Sequence, residues 1–134
     1  MPASQAFDGD TGTQWDGYDY GAGAYPVMNL YYDAGAPVQV GAYGLRDSGW
    51  ECPTAWTLRA SEVGSSWVTL DERNLTKTRD GTCASAWRNF TIDATEETQG
   101  CFRYFAFNFT QAFPDRTQET GDGIQLKEAG VWGI

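Results

Sequence analysis

The stretch "AFDGDTGTQW", residues 6–15, packs carboxylates, hydroxyls and glycines closely together. Asp8 and Asp10 sit two apart around Gly9, with Thr13 and Trp15 close behind. Oxygens this close fit three kinds of chemistry. A calcium loop needs about six to eight oxygen ligands from a flexible backbone. Asp8 and Asp10 offer carboxylates, Thr13 a hydroxyl and a carbonyl, and Ala6 a carbonyl, while Gly9 permits the sharp turn between the two acids. The same residues also fit a turn in which Asp8 and Asp10 accept backbone N–H bonds. The third reading, a catalytic acid pair, requires two carboxylates facing each other across a cleft at about 5–10 Å, with pKa values pushed apart. Two aspartates on one tight loop share a cation more readily than they do acid–base work. The chain has no histidine, which excludes Ser-His-Asp and Cys-His arrangements. It also lacks a glycine-rich phosphate loop and a Cys-x-x-C pair. We therefore expect no enzyme.

The elements that must position this loop read as strands. "TAWTLRAS" alternates Trp56 and Leu58 against Thr57 and Arg59, and "RNFTID" sets Phe90 and Ile92 on one face. "CFRYFAFNFT" sets Arg103, Phe105, Phe107 and Phe109 on one side and Phe102, Tyr104, Ala106 and Asn108 on the other. "APVQVGAYGLRD" alternates through Val38, Val40, Ala42 and Gly44, "SWVTLD" places Trp67 out of phase with Val68 and Leu70, and "GIQLKEAGVWGI" closes the chain. Period-two runs bounded by glycine, proline, aspartate and serine predict an all-β sandwich or barrel, with no helix. Two longer loops, residues 16–26 and 71–87, interrupt the pattern, and "ASEVGSSW" reads as a turn.

The length of 134 residues fits one domain, assigned to 1–134, with a real core. A formal charge of -9 opposes nucleic acid, which requires a basic surface, and likewise anionic lipid. It suits a cation or a neutral ligand such as a sugar. No apolar run approaches the ~20 residues of a membrane span. The start, "MPASQAFDGD", has no signal-peptide pattern, so the expected setting is the cytosol or, as one domain of a longer chain, a secreted protein. Asn74, Asn89 and Asn108 each begin an N-glycosylation sequon. Three cysteines, Cys52, Cys83 and Cys101, allow one disulfide and one thiol or three free thiols.

Taken in order, four segments resemble the discoidin family, also called coagulation-factor C-type domains. These belong to the galactose-binding-domain-like sandwiches, which include many carbohydrate-binding modules. "AFDGDTGTQW" resembles the family's early "A-x-D-G-D-x-x-T-x-W" loop, and "PTAWTLRASEVGSSWVTLD" its tryptophan-rich hairpin. "CFRYFAFNFT" is similar to the "Y-R-Y-x-R-L-x-x-T" strand, and "GIQLKEAGVWG" to the closing "I-x-L-x-E-I-x-V-x-G" strand. The match spans residues 6–133. It implies an antiparallel jelly-roll β-sandwich, galactose-binding-domain-like, with core tryptophans at Trp15, Trp56 and Trp67. It also implies a structural Ca2+ held by Ala6, Asp8, Asp10, Thr13 and Glu128. There are departures. Only five residues precede Ala6, so the usual first strand or strands are expected to be missing. Ala106 replaces a common arginine, Gly64 follows a valine where Asp-Gly is usual, and the histidine of many sugar-binding relatives is absent.

Ligands of this family meet loops at one end of the sandwich. Strand direction gathers the loops at 16–25, 47–53, 78–88 and 111–122 there. Trp50, Trp87 and Phe113 would supply aromatic surface, and Arg79, Asp115 and Arg116 hydrogen bonds to hydroxyls. Trp50 and Trp87 could equally cover the end of the core, Tyr18, Tyr20 and Tyr25 form a contact surface, and the arginines be solvated charges. The same directions pair Cys52 with Cys83 and leave Cys101 a buried thiol at the other end. The expectation is a non-catalytic, calcium-stabilised carbohydrate-binding or adhesion module in a larger secreted or surface protein, with a glycan or glycoprotein as partner. The alternative is a structural or protein-interaction module that pairs an open N-terminal strand edge with neighbouring subunits. Membrane binding through apolar loop tips ranks last.

Overall fold

The computed structural model describes residues 15–17, 28–47, 52–74, 87–113 and 124–133. Eight strands follow in chain order: β1 (Trp15–Gly17), β2 (Met28–Val38), β3 (Val40–Asp47), β4 (Cys52–Ser61), β5 (Val68–Asn74), β6 (Trp87–Thr91), β7 (Phe102–Phe113) and β8 (Ile124–Gly133). They form two antiparallel four-stranded sheets, sheet A in the order β1-β8-β3-β6 and sheet B in the order β2-β7-β4-β5. Consecutive strands alternate between sheets in the jelly-roll manner, apart from the β4–β5 hairpin within sheet B, so the all-β, jelly-roll expectation holds.

Alternation along each strand decides what lies between the sheets. Leu30, Leu58, Phe105, Phe107 and Phe109 point inward and are fully buried. Phe107 and Phe109 stack at 5.7 Å, and Trp56 meets the Phe90 ring edge-on at 5.0 Å. In β3 the observed phase differs from the regular alternation read in the sequence. A register shift between Val40 and Ala42 turns the strand, so Tyr43 and Leu45 join Val40 in the core and Ala42 and Gly44 do not lead it. Trp67 departs from its expected core position. It is half-buried, outside the core cluster, and meets Tyr31 with ring centroids 6.3 Å apart. Trp56 is the core tryptophan expected, 1 % exposed, and the side chain of Trp15 lies outside the described residues.

One chain of polar contacts joins the sheets from inside. Trp56 Nε1 on β4 donates to the Tyr43 hydroxyl on β3 at 2.8 Å, and that hydroxyl donates to Asp71 Oδ2 on β5 at 2.5 Å. Arg73 Nε donates to the same Asp71 oxygen at 2.8 Å, and Arg73 Nη2 to the Thr91 carbonyl on β6 at 3.0 Å. The guanidinium also lies 5.1 Å over the Phe90 ring. β5 and β6 are edge strands of different sheets, so this chain closes one side of the sandwich.

The turn from β4 to β5 is fixed by Ser61, whose Oγ accepts from Val63 N at 3.2 Å and from Gly64 N at 2.8 Å. Gly64 has φ of 86°, a left-handed conformation that side chains rarely adopt, which explains a glycine at this corner. Cys101 lies just before β7 and is an exposed free thiol, not the buried one expected. The inward position at this strand start is taken by Phe102, 6 % exposed, which leaves Cys101 outside the core. Phe102 therefore joins Phe105, Phe107 and Phe109 in the core, contrary to the alternation expected from the sequence, and Arg103 leaves that face to pair with the exposed Asp33 at 2.7 Å.

Replacing Tyr43 with phenylalanine leaves Asp71 and Trp56 Nε1 without their shared partner. The expected cost is about 1–3 kcal/mol, read from urea unfolding. Burial, reinforced by the hydrogen bond to Asp71, holds the Tyr43 phenol well above the usual tyrosine range. The folded protein therefore keeps this proton where the unfolded chain loses it. The Tyr43 contribution to stability is complete below about pH 10 and declines as pH rises further. Unfolding midpoints across that range should fall more steeply for the parent than for Tyr43→Phe.

Candidate functional site

Eight strand ends converge on one end of the sandwich. In sheet A, Gly17 of β1 pairs with Ile124 of β8, Asp47 of β3 with Leu126 of β8, and Arg46 of β3 with Trp87 of β6. In sheet B, Cys52 of β4 pairs with Phe113 of β7, Met28 of β2 with Phe109 of β7, and Ala55 of β4 with Asn74 of β5. The connections 18–27, 48–51, 75–86 and 114–123 all start and finish at these ends. The sequence-based grouping of loops thus agrees with the strand directions. Cys101, just ahead of β7, stands at the other end, as expected from its strand.

Arg88 fastens the sheets together at the loop end. Its Nη2 donates to the Pro53 carbonyl at 2.9 Å, and its guanidinium lies 5.5 Å from the Trp56 ring. The first residues of β6 and β4 are therefore held side by side. Trp87, next to Arg88, has 38 % of its surface exposed, which favours the surface over the core reading of this residue. Its cross-strand partner is Arg46, which in turn pairs with Glu128. Trp87, Arg46 and Glu128 thus form one row across sheet A. Arg46 Nε is buried and has no hydrogen-bond partner. Thr54 Oγ1, beside Pro53, is also buried without one. Unpaired polar atoms of this kind are uncommon in cores and here lie near the strand ends that carry the loops. Arg46, Arg88 and Thr54 were absent from the sequence-based site. Strand pairing brings them to it, and nothing in their local sequence marks them.

Of the residues expected to contact ligand, Trp87 is placed at the loop end with its side chain, and Phe113 with its backbone, opposite Cys52. Trp50, Arg79, Asp115 and Arg116 lie outside the described residues, as does Cys83, the expected partner of Cys52. The expected metal ligands Ala6, Asp8, Asp10 and Thr13 also lie outside them, and Glu128 is placed by its backbone in β8. Among the described residues no group of three or more His, Cys, Asp or Glu side chains could hold a metal ion. Asn74 and Asn89 are exposed, whereas Asn108 on the central strand β7 is half-buried, with its Oδ1 buried and unpaired.

No sequence-family profile and no curated protein matches the chain. Solved structures do. Module CBM32-3 from a family 31 glycoside hydrolase of Clostridium perfringens superposes with a TM-score of 0.78 at 14 % identity, covering 99 % of this chain and 83 % of that one. Chitosan-binding module 1 of a chitosanase/glucanase from Paenibacillus sp. IK-5 gives 0.69 at 20 % identity, with 98 % and 85 % covered. The family 32 module of NanJ from C. perfringens, in complex with galactose, gives 0.67 at 16 % identity, with 97 % and 83 % covered. At such identities the likeness is one of fold. The chain has the galactose-binding-domain-like, discoidin-like β-sandwich fold of these carbohydrate-binding modules.

Arg88→Ala removes both the Pro53 bond and the stacking on Trp56. It should destabilise the protein by about 2 kcal/mol in thermal or urea unfolding. Arg88→Lys should restore only part of that loss, because an ammonium cannot stack flat on the indole.

Proposed function

We propose that the chain is a non-catalytic carbohydrate-binding module whose ligand meets the loop end of the sandwich. The observation that carries this reading is the convergence of four connections on one end, where the exposed Trp87 stands in a fold shared with carbohydrate-binding modules. An exposed indole offers a flat apolar surface to the C–H face of a sugar. Arg46 in the same row and the loop residues Trp50, Arg79, Phe113, Asp115 and Arg116 would supply further stacking and hydrogen bonds to hydroxyls. A preformed face of this kind binds through shape and hydrogen bonding, with affinity raised by repetition in a larger protein. The setting that suits such a module is extracellular or at the cell surface, with a glycan or glycoprotein as partner.

The calcium reading belongs to the same proposal. The donor set of Ala6, Asp8, Asp10, Thr13 and Glu128 is all oxygen, as a hard cation requires. The pairing of β1 with β8 supports it. Stepping back from Gly17 to Trp15, the partner moves from Ile124 to Leu126, that is, toward Glu128. Continued in that register, the chain ahead of Trp15 would approach the glutamate that would complete the shell. Bound there, calcium would tie the segment ahead of β1 to β8. A second reading, a protein-interaction module, is favoured by one observation: β1 is a three-residue edge strand of sheet A. An edge of this kind can accept a neighbouring strand.

Affinity electrophoresis through soluble galactan and chitosan tests the main reading. The parent should be retarded by at least one of them, and Trp87→Ala should weaken retention about tenfold while keeping the parent's unfolding temperature. Unimpeded migration of the parent in every glycan gel, with dimers at high concentration in sedimentation, would instead favour the interaction reading. For the metal, calcium added after chelator treatment should raise the unfolding temperature of the parent. Asp10→Ala and Glu128→Gln should each remove that increment.

A further inference from the structure

The outer face of sheet B holds a second group of side chains that the loop end does not use. Alternation along β2 sends Leu30 into the core and Tyr31 outward, where it is 61 % exposed. The register draws a row across this face from Tyr31 through Ala106 and Arg59 to Thr69. The adjacent row runs from Asn29 through Asn108 and Thr57 to Glu72. Tyr31 sits on one edge strand and Trp67 directly precedes the other, yet their ring centroids are 6.3 Å apart and their planes inclined by 60°. The two side chains therefore lean toward each other across β7 and β4. The short Ala106 leaves room for them. Asn29, Arg59 and Thr69 are exposed around the rings, and Thr57 is half-exposed.

We propose that this face is a second carbohydrate-binding site, a platform for a single soluble oligosaccharide chain, separate from the loop end. The exposed Tyr31 ring would stack on the C–H face of one pyranose. Arg59, with its planar fork of donors, would reach the hydroxyls of that unit or the next, together with Asn29, Thr57 and Thr69. The ring inclination selects among carbohydrates. Two planes set 60° apart cannot both lie on a flat crystalline surface, but they can meet successive sugars that are rotated relative to one another. A neutral chain also meets no repulsion from a net charge of -9.

This site does not depend on the loop-end reading, and one experiment separates the two. Amide chemical-shift mapping is carried out with soluble cello-, chito- and galacto-oligosaccharides on the parent, Tyr31→Ala, Arg59→Ala and Trp87→Ala. At least one oligosaccharide should shift the amides of Tyr31, Arg59 and Thr69. Tyr31→Ala should weaken that binding about tenfold and leave any perturbation near Trp87 unchanged. Arg59→Ala, a change at an exposed position, should weaken it too and guards against a Tyr31 variant that fails to fold. Trp87→Ala should leave the platform shifts intact. Perturbations confined to residues beside the loop end would overturn the platform and leave the loop-end reading standing. Shifts on the platform alone would do the reverse, and an unperturbed spectrum with every oligosaccharide would sink both.

Discussion

The hydrogen-bonded chain from Trp56 through Tyr43 and Asp71 to Arg73 is the constraint on which the rest of the structure leans. Two sheets that meet only through apolar side chains can slide, because dispersion and burial are nearly indifferent to small shifts. A phenol donating to a carboxylate while accepting from an indole has one geometry. It ties β3 of one sheet to β4 and β5 of the other. Removing either end strands a buried polar group, so the chain specifies the register between sheets as well as stabilising it. Trp56, once oriented by Tyr43, offers its ring to Arg88, and Arg88 grips the Pro53 carbonyl. The geometry of the loop end is thus inherited from a polar contact inside the core.

Much of the fold was legible in the sequence because strand alternation is a direct readout of burial. Phe105, Phe107 and Phe109 announced their shared face, as did Trp56 with Leu58, and all five are buried. Legibility failed where the period breaks. The register shift near Gly41 reversed the inward face of β3, and a bulge does not show in a run of mixed small and apolar residues. Trp67 was expected in the core from the family resemblance, yet its phase opposite Leu70 already directed it outward, where it meets Tyr31. Cys101 precedes its strand by one position, too little for composition to tell a buried thiol from an exposed one.

The candidate site was legible in a different way. Strand directions alone grouped the loops correctly, since each antiparallel reversal sends the next connection to the opposite end. Trp87 could be named from type and loop context. Arg46 and Thr54 could not, because their interest lies in unpaired buried atoms, a property of three-dimensional surroundings. The same holds for the aromatic pair on sheet B, whose members are thirty-six positions apart in the chain and meet only because the four strands of that sheet lie in a fixed order. The fold is shared with carbohydrate-binding modules, while what such a fold binds rests with side chains that the fold does not dictate.

The division of the sandwich into two unlike ends has an evolutionary consequence. At the end away from the loops, connections are internally bonded, as in the Ser61 corner and in the turn where the Thr98 hydroxyl donates to the Asp93 carbonyl. Register and core are set there and within the sheets. The four connections at the opposite end need only span the gap between strands that are already positioned. Substitutions and insertions in them can accumulate with little penalty to folding, so lineages descending from one such scaffold can diverge in what they recognise while conserving how they fold.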